Sequence, residues 1–516
     1  MLGTKAAMKI LFALTLIFCI SLLTPTVADD EGVAALGKKR VDAAVKKAVE
    51  YLKGLQQGDG SWAGDSTYEK FYPMGTTALV LFAVIKGGEG KDSDCVKKAL
   101  SLLKGMKDFP GTYSTSCLIL ALVALVETDE DKEEEEPGEK GEKKGWRTEP
   151  VADPDKEGKK KFRKAPPWLK AWIQRAVNYI VRVRTKTVWR YPGGNPGETG
   201  GTRGVGGDRD ASATQFVMMA LFAARRIGIN APQGIYPQVA EYYMRNQEDK
   251  GPKVKGFPVP GADINLKDVK DMEKRWRKEI NKKIKEAAKK AKKEKEKFTG
   301  VDPRTIPREV IDEKYGNERA DMEARGWTYL PKEKHGTGGI AAFMSVNTGT
   351  MTASGVIACM LCKAELEGTS YYKKNGKRLR KAIRDGLGWI SHNWTISQNP
   401  NTPKEDSWRY YYYYALERAG VLTLVHKVGT HDWYKEIGER ILSEQSGDGS
   451  WAGASAAPEQ GFQVFQHGPT WNTSFAILFL KRATTPLIRE KTIFTGGDYL
   501  GRGKKDKEKK EEKEEE

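Results

Sequence analysis

Two carboxylates, an imidazole and a run of phenols are the groups in this sequence best placed to do chemistry. Asp208 and Asp210 stand just ahead of an apolar helical run, in Asp208-Arg209-Asp210-Ala211-Ser212-Ala213-Thr214. A carboxylic acid held there by hydrogen bonds in a dry pocket would be a strong general acid. The same position is where a helix takes its N-cap, with Asp210 or Ser212 satisfying open backbone N–H groups, and both readings stand. A second run opens with Trp408-Arg409-Tyr410-Tyr411-Tyr412-Tyr413-Tyr414. Five consecutive tyrosines cover every side of a helix. Trp408, Tyr411 and Tyr412 are expected to face inward, where their rings would stabilise a passing cation, stack on a sugar or simply pack with hydroxyls bonded. Arg409, His467 and Asn472 also lie near helix starts, and with the acids and Tyr411 they could serve a glycan lyase or hydrolase.

Other chemistry finds less support. Cys359 and Cys362 sit three apart in an apolar helical run and read as core thiols or as a redox or metal pair. A zinc site would need two further ligands that the sequence does not place, so no metal is assigned. With Cys95 and Cys117 they are far too sparse for a disulfide scaffold, and sequence cannot assign a pairing. The glycine-rich loop 193–207 contains no phosphate-binding Gly-x-Gly-x-x-Gly fingerprint, reads as a lid or plain loop, and no cofactor is expected.

The elements that would position these groups repeat. Gln57-Gly58-Asp59-Gly60-Ser61-Trp62-Ala63-Gly64 returns as Gln445-Ser446-Gly447-Asp448-Gly449-Ser450-Trp451-Ala452-Gly453. An amphipathic helix precedes each copy; in the first, Val41, Val45, Ala48, Leu52 and Leu55 mark one face. A helix apolar nearly all round follows, and it must be enclosed by protein. The unit occurs six times. Half-exposed helices are expected over 38–56, 93–107, 167–185, 235–247, 376–392 and 430–446. Buried partners are expected over 73–86, 113–127, 210–227, 350–366, 407–420 and 471–483. Turn tryptophans occur in five units, at Trp62, Trp189, Trp327, Trp394 and Trp451, each wedging its ring against a helix end while Gly and Asp permit the bend.

Composition frames this architecture. The chain has 516 residues, 39% of them hydrophobic and 30% charged, with a net charge of +18. Residues 1–28 read as a signal peptide: Lys5 and Lys9, a short apolar run, and Thr26-Val27-Ala28 as the cleavage site. Export to the periplasm or beyond is expected, with the repeats in a domain over 29–485. Residues 128–166 read as a charged disordered insertion, and 486–516 as a charged tail. A second insertion, 251–325, splits the fourth unit. Its stretch 267–297 carries 15 Lys/Arg against 7 Asp/Glu and reads as a solvated helix able to touch an anionic lipid or glycan. No nucleic-acid module accompanies it, so specific nucleic-acid binding is not expected.

The Gln-x-Gly-Asp-Gly-Ser-Trp turn resembles the QW motif of squalene cyclases and its counterpart in protein prenyltransferase β subunits. The chain is thus similar to exported bacterial prenyltransferase/squalene-oxidase-repeat proteins. That resemblance implies an all-α (α/α)6 toroid, six inner helices inside six outer ones, with the inner starts converging on one rim. Squalene-hopene-type cyclases carry Asp-x-Asp-Asp-Thr at an inner helix start; here Asp208 and Asp210 match and Ala211 replaces the last Asp. Zinc prenyltransferases would place a His-Thr pair where this chain has Trp471-Asn472-Thr473, and a thioester domain would need Cys-Gly-Glu-Gln, which is missing. The expectation is an exported toroid holding an apolar or glycan ligand in its central cavity, for binding or interaction. A terpene cyclase using Asp210 as general acid is the alternative, and a carbohydrate-active enzyme the second.

Overall fold

The computed structural model describes residues 36–63, 74–109, 111–134, 165–185, 187–190, 210–294, 315–316, 319, 321–338, 342, 344–402, 408–452 and 468–484. Among these the chain is all-α, mostly helical with a few two-residue strands. The signal-peptide, cleavage-site and C-terminal-tail readings lie outside the described residues.

Helices of two kinds alternate. Those with one apolar stripe are α1 (Lys38–Gly54), α3 (Asp94–Gly105), α5 (Pro167–Arg182), α7 (Ile235–Asn246), α11 (Ser370–His392) and α13 (Trp433–Ser443). Between them run α2 (Gly75–Lys86), α4 (Thr112–Glu134), α6 (Ala211–Arg226), α10 (Gly349–Leu366), α12 (Arg409–Thr423) and α14 (Pro469–Leu480). The second kind is enclosed: α10 and α12 are buried from end to end, and α2 from Gly75 to Ile85. In α1, by contrast, Val41, Ala44, Val45, Ala48, Val49 and Leu52 are buried while Asp42, Ala43, Lys46, Lys47 and Glu50 face solvent. Burial, rather than intrinsic propensity, holds such helices together.

The enclosed helices pack in chain order. α2 lies on α4, α4 on α6, α6 on α10, α10 on α12 and α12 on α14, and α14 returns to α2. The striped helices cover them: α5 on α4 and α6, α7 and α11 on α10, α13 on α12 and α14, and α1 on α2 and α14.

The turns between them are built alike. Trp62, Trp189, Trp327 and Trp451 each donate their indole N–H to a carbonyl near the end of the preceding striped helix, at Leu52, Ile180, Tyr243 and Ile441, over 2.6–2.8 Å. Their backbone N–H groups donate to a threonine hydroxyl of the following helix, at Thr77, Thr214, Thr352 and Thr473. One indole thus ties two helices at a fixed angle. Trp394 does not join this set. It is only partly buried, stacks on His431 with ring centres 4.6 Å apart, and donates to Glu436. Trp433 instead joins α12 to α13, its indole donating to Val425 O and lying against the backbone of Gly420.

At three of these four turns a glutamine binds the turn to another unit. Gln56 donates its amide to Gly60 O and Cys95 O, Gln247 to Arg325 O and Ala382 O, and Gln445 to Gly449 O and Ala44 O. The last of these reaches from the end of the repeats back to α1. Gly60 and Gly449 both stand at φ +93°, each with a backbone carbonyl where a Cβ would go, so no other residue fits those turns without strain.

Three expected boundaries shift. The fifth striped helix begins at Ser370 rather than near 376, because Thr369 caps it by accepting from Tyr372 N–H. α4 runs on to Glu134, into the segment read as disordered from 128, since Lys and Glu are good helix formers; residues 135–164 lie outside the described ones. The insertion 251–325 is partly packed. β1 (Lys253–Val254) pairs antiparallel with β2 (Met322–Glu323), returning the chain to Trp327. Between them α8 (Pro260–Asp263) is wedged against α11 and α12, and Lys363 at the end of α10 donates to Ile264 O. Then α9 (Leu266–Glu294) begins with a reciprocal cap between Asn265 and Asp268.

Candidate functional site

All six enclosed helices begin at one cleft. Thr76 and Leu79 of α2, Tyr113 and Cys117 of α4, Ser212 and Phe216 of α6, Thr350 of α10, Tyr411 of α12 and Phe475 of α14 line a space of about 970 Å³, its open mouth included. Each comes from the first two turns of its helix. Met344, Val346 and Thr348, ahead of α10, and Trp408 border it too. The wall is apolar and aromatic, with hydroxyls as its polar atoms.

Those hydroxyls form a cluster. Tyr411 O–H lies 2.6 Å from Ser212 Oγ and 3.1 Å from Tyr113 O–H, and Tyr113 also bonds Ser212. Gln215 donates to Tyr411 O over 2.5 Å. Behind it, Arg418 donates to Gln215 Oε1 over 3.1 Å. Arg418 is wholly buried, its guanidinium 4.0 Å from the centre of the Tyr414 ring and 4.7 Å from that of Phe216. Cleft and charge are therefore separated by one layer of side chains. Burial raises the Tyr411 phenol above its usual range, and Arg418 opposes that rise. Burial also pushes the Cys117 thiol up to about 12, which leaves it un-ionised and unreactive.

The expected site residues separate. Trp408 and Tyr411 border the cleft, Trp408 in the left-handed region at φ 53°. Tyr412 points away from it, against Gly349 at the start of α10. Arg409 also turns from the cleft, paired at 3.0 Å with Glu444, which follows α13, and lying over the Tyr410 ring. Asn472 bonds Ala452 O and does not border the cleft, whereas its neighbour Trp471 does, donating to Thr76 Oγ1 of α2. Asp208 and His467 lie outside the described residues.

Asp210 caps α6. One oxygen accepts from Ala213 N–H at 2.6 Å and the other from Tyr329 O–H, and the buried carboxylate stands beside the cleft rather than in its wall. Both oxygens are thus engaged by the fold, one by the cap and one by Tyr329. Among the described residues Cys95, Cys117, Cys359 and Cys362 are buried free thiols. Among the described residues no group of three or more His, Cys, Asp or Glu could hold a metal ion, and no helix is long and apolar enough to cross a membrane.

No protein-family model, curated protein or solved structure matches this chain. Its functional reading rests on the cleft and on the repeated turn.

Sequence reasoning missed Gln215, Arg418, Tyr329 and Trp471. The only available signal for Arg418 was an arginine inside an otherwise enclosed helix, Tyr410 to Thr423, where a charge has no solvent to face.

Proposed function

We propose that this chain is an exported toroid-repeat protein of the squalene-cyclase/prenyltransferase type, with six helix pairs closed as an (α/α)6 ring. Its function in this reading is to hold an apolar ligand in the cleft at the inner-helix starts, without cyclising it. Closure is supported by α14 packing on α2 and by Gln445 reaching Ala44 O of α1. Family and export rest on the repeated Gly/Trp turn and on residues 1–28 alone.

The observation that carries binding over cyclisation is Arg418. Ring faces stabilise a passing carbocation, but here the faces of Phe216 and Tyr414 already hold a permanent guanidinium. A second cation beside it would be repelled. Asp210, the nearest candidate acid, serves as a cap.

The aromatic wall of Trp408, Tyr411, Trp471 and Phe475 keeps terpene cyclisation as the second reading. Incubation of the mature protein with a linear triterpene separates the two. Cyclic product that disappears in Asp210→Asn would replace binding with catalysis. For the binding reading, the native mass of protein purified from its own exported compartment should exceed its denatured mass by one small apolar molecule. Equal masses, together with no uptake of any added apolar compound, would sink it.

A further inference from the structure

We propose that the ligand of this cleft is a single-chain anionic amphiphile, its chain on the aromatic wall and its acidic head at the Tyr113–Ser212–Tyr411 hydroxyl cluster. This rests on the ligand-binding reading above and adds the charge and polarity of what is bound.

The sense of the hydrogen bonds comes first. Arginine is a donor only. Its bond to Gln215 Oε1 sets the orientation of that amide, so Nε2 must donate to Tyr411. Tyr411 therefore accepts from behind and keeps its one proton for Ser212 or Tyr113, both of which border the cleft. A cluster fed in this direction favours an acceptor at the wall.

Charge comes second. Nε and Nη1 of Arg418 are buried and have no hydrogen-bond partner among the described residues. The neighbouring Glu417 does not answer it by a hydrogen bond: both its oxygens are taken by Thr484, through N–H and O–H. The cation lies two turns along α12 from Tyr411, roughly 10 Å. At that range in a low-dielectric wall, the guanidinium favours a full negative charge over a neutral group by roughly tenfold, against the opposing carboxyl of Asp210, which bonds Tyr329 beside the cleft. A third sign is Thr350, whose buried Oγ1 also borders the cleft and has no partner among the described residues. Isolated buried hydroxyls of this kind are satisfied by water or by a bound molecule.

Lipid-derived carboxylates and alkyl phosphates share this chemistry. The test measures hexadecanoate, hexadecyl phosphate, hexadecan-1-ol and hexadecyltrimethylammonium against the full mature chain, by titration calorimetry with native mass spectrometry for stoichiometry. One anion per chain, bound roughly tenfold tighter than the alcohol, is expected, and the better of the two anions identifies the head group. Arg418→Met should bring anion and alcohol together while leaving the alcohol unchanged, and Arg418→Lys should restore part of the gap. Should Arg418→Met fail to fold, Tyr411→Phe should narrow the same gap. Equal binding of anion and alcohol by the unaltered protein, or a preference for the ammonium, would overturn the proposal while leaving an apolar binding site. A preference that persists in Arg418→Met would overturn the role of that residue. Binding of none of the four would remove the binding reading itself, and this proposal with it.

Discussion

At the residue scale, the indole N–H of Trp189 shows how much of this molecule depends on single donors. It meets Ile180 O at 2.7 Å at the end of α5, inside a fully buried pocket. Trp189→Phe keeps most of the ring and orphans that carbonyl, so a loss of about 1–3 kcal/mol is expected in urea unfolding. Trp394→Phe, at a partly buried indole bonded to an exposed-side glutamate, should cost about 1 kcal/mol or less. Equal losses at the two positions would contradict the distinction drawn between them. At Asp210 the cap reading makes its own demand. Asn caps nearly as well as Asp, so Asp210→Asn should lower stability by under ~1 kcal/mol, while Asp210→Ala should cost about 1–2 kcal/mol. A much larger loss for Asn would mean that the negative charge itself, and not the cap, holds Tyr329 in place.

At the element scale, close approach and burial set the terms. The indole of Trp327 is clamped between Gly355 of α10 and Gly386 of α11, and a Cβ on Gly355 would come within 2.3 Å of its ring. Gly355→Ala should therefore force the helix off its neighbour and destabilise by about 1–3 kcal/mol, although alanine favours helix in isolation. A stabilised variant in thermal unfolding would show that the clamp is looser than described. Glu417, wholly buried in α12, has its carboxyl pushed up to about 7, chiefly by burial, against the two bonds from Thr484. In the folded chain it holds a proton that the unfolded chain has already released. Its contribution is fully present below the unfolded value of about 4.5 and is lost as pH rises through about 7, a swing on the order of 3 kcal/mol. Glu417→Gln should remove this dependence. Parallel stability–pH curves for the two proteins would show that Glu417 titrates normally.

At the scale of the whole molecule the decisive contacts join the two ends of the repeat array. Trp471 of α14 donates to Thr76 of α2, Glu439 pairs with Arg40, and Gln445 donates to Ala44 O. In the proposed closed ring, an injury to the last unit is felt in the first. Gln445→Ala should raise hydrogen exchange in Lys38–Gly54, by the roughly 0.5–1.5 kcal/mol that a lost hydrogen bond costs. In an open solenoid the faster exchange would stay within Trp433–Ser443. The exposed Arg40–Glu439 pair contributes little by itself. In the proposed ring the same closure would make the cleft, where the six enclosed helices begin.

The alternation of striped and enclosed helices was legible from the sequence because it follows from burial, which imprints a local period on each segment. The Gln/Gly/Trp turns were equally legible, since φ near +93° and a carbonyl at van der Waals contact admit glycine alone. The bridging role of Gln56, Gln247 and Gln445 was not, because their second acceptors lie on other helices. Nor could the tyrosine run be sorted. A helix turns 100° per residue, so which of Trp408, Arg409, Tyr411 and Tyr412 faced the cleft depended on how α12 is rotated against α10 and α13. Tertiary packing turned Arg409 to Glu444 and Tyr412 to Gly349, and left Tyr411 inward. It also joined Tyr113 to Tyr411 across 298 positions and set Arg418 behind them. Local periodicity determines which faces are buried; only tertiary packing decides which buried groups meet.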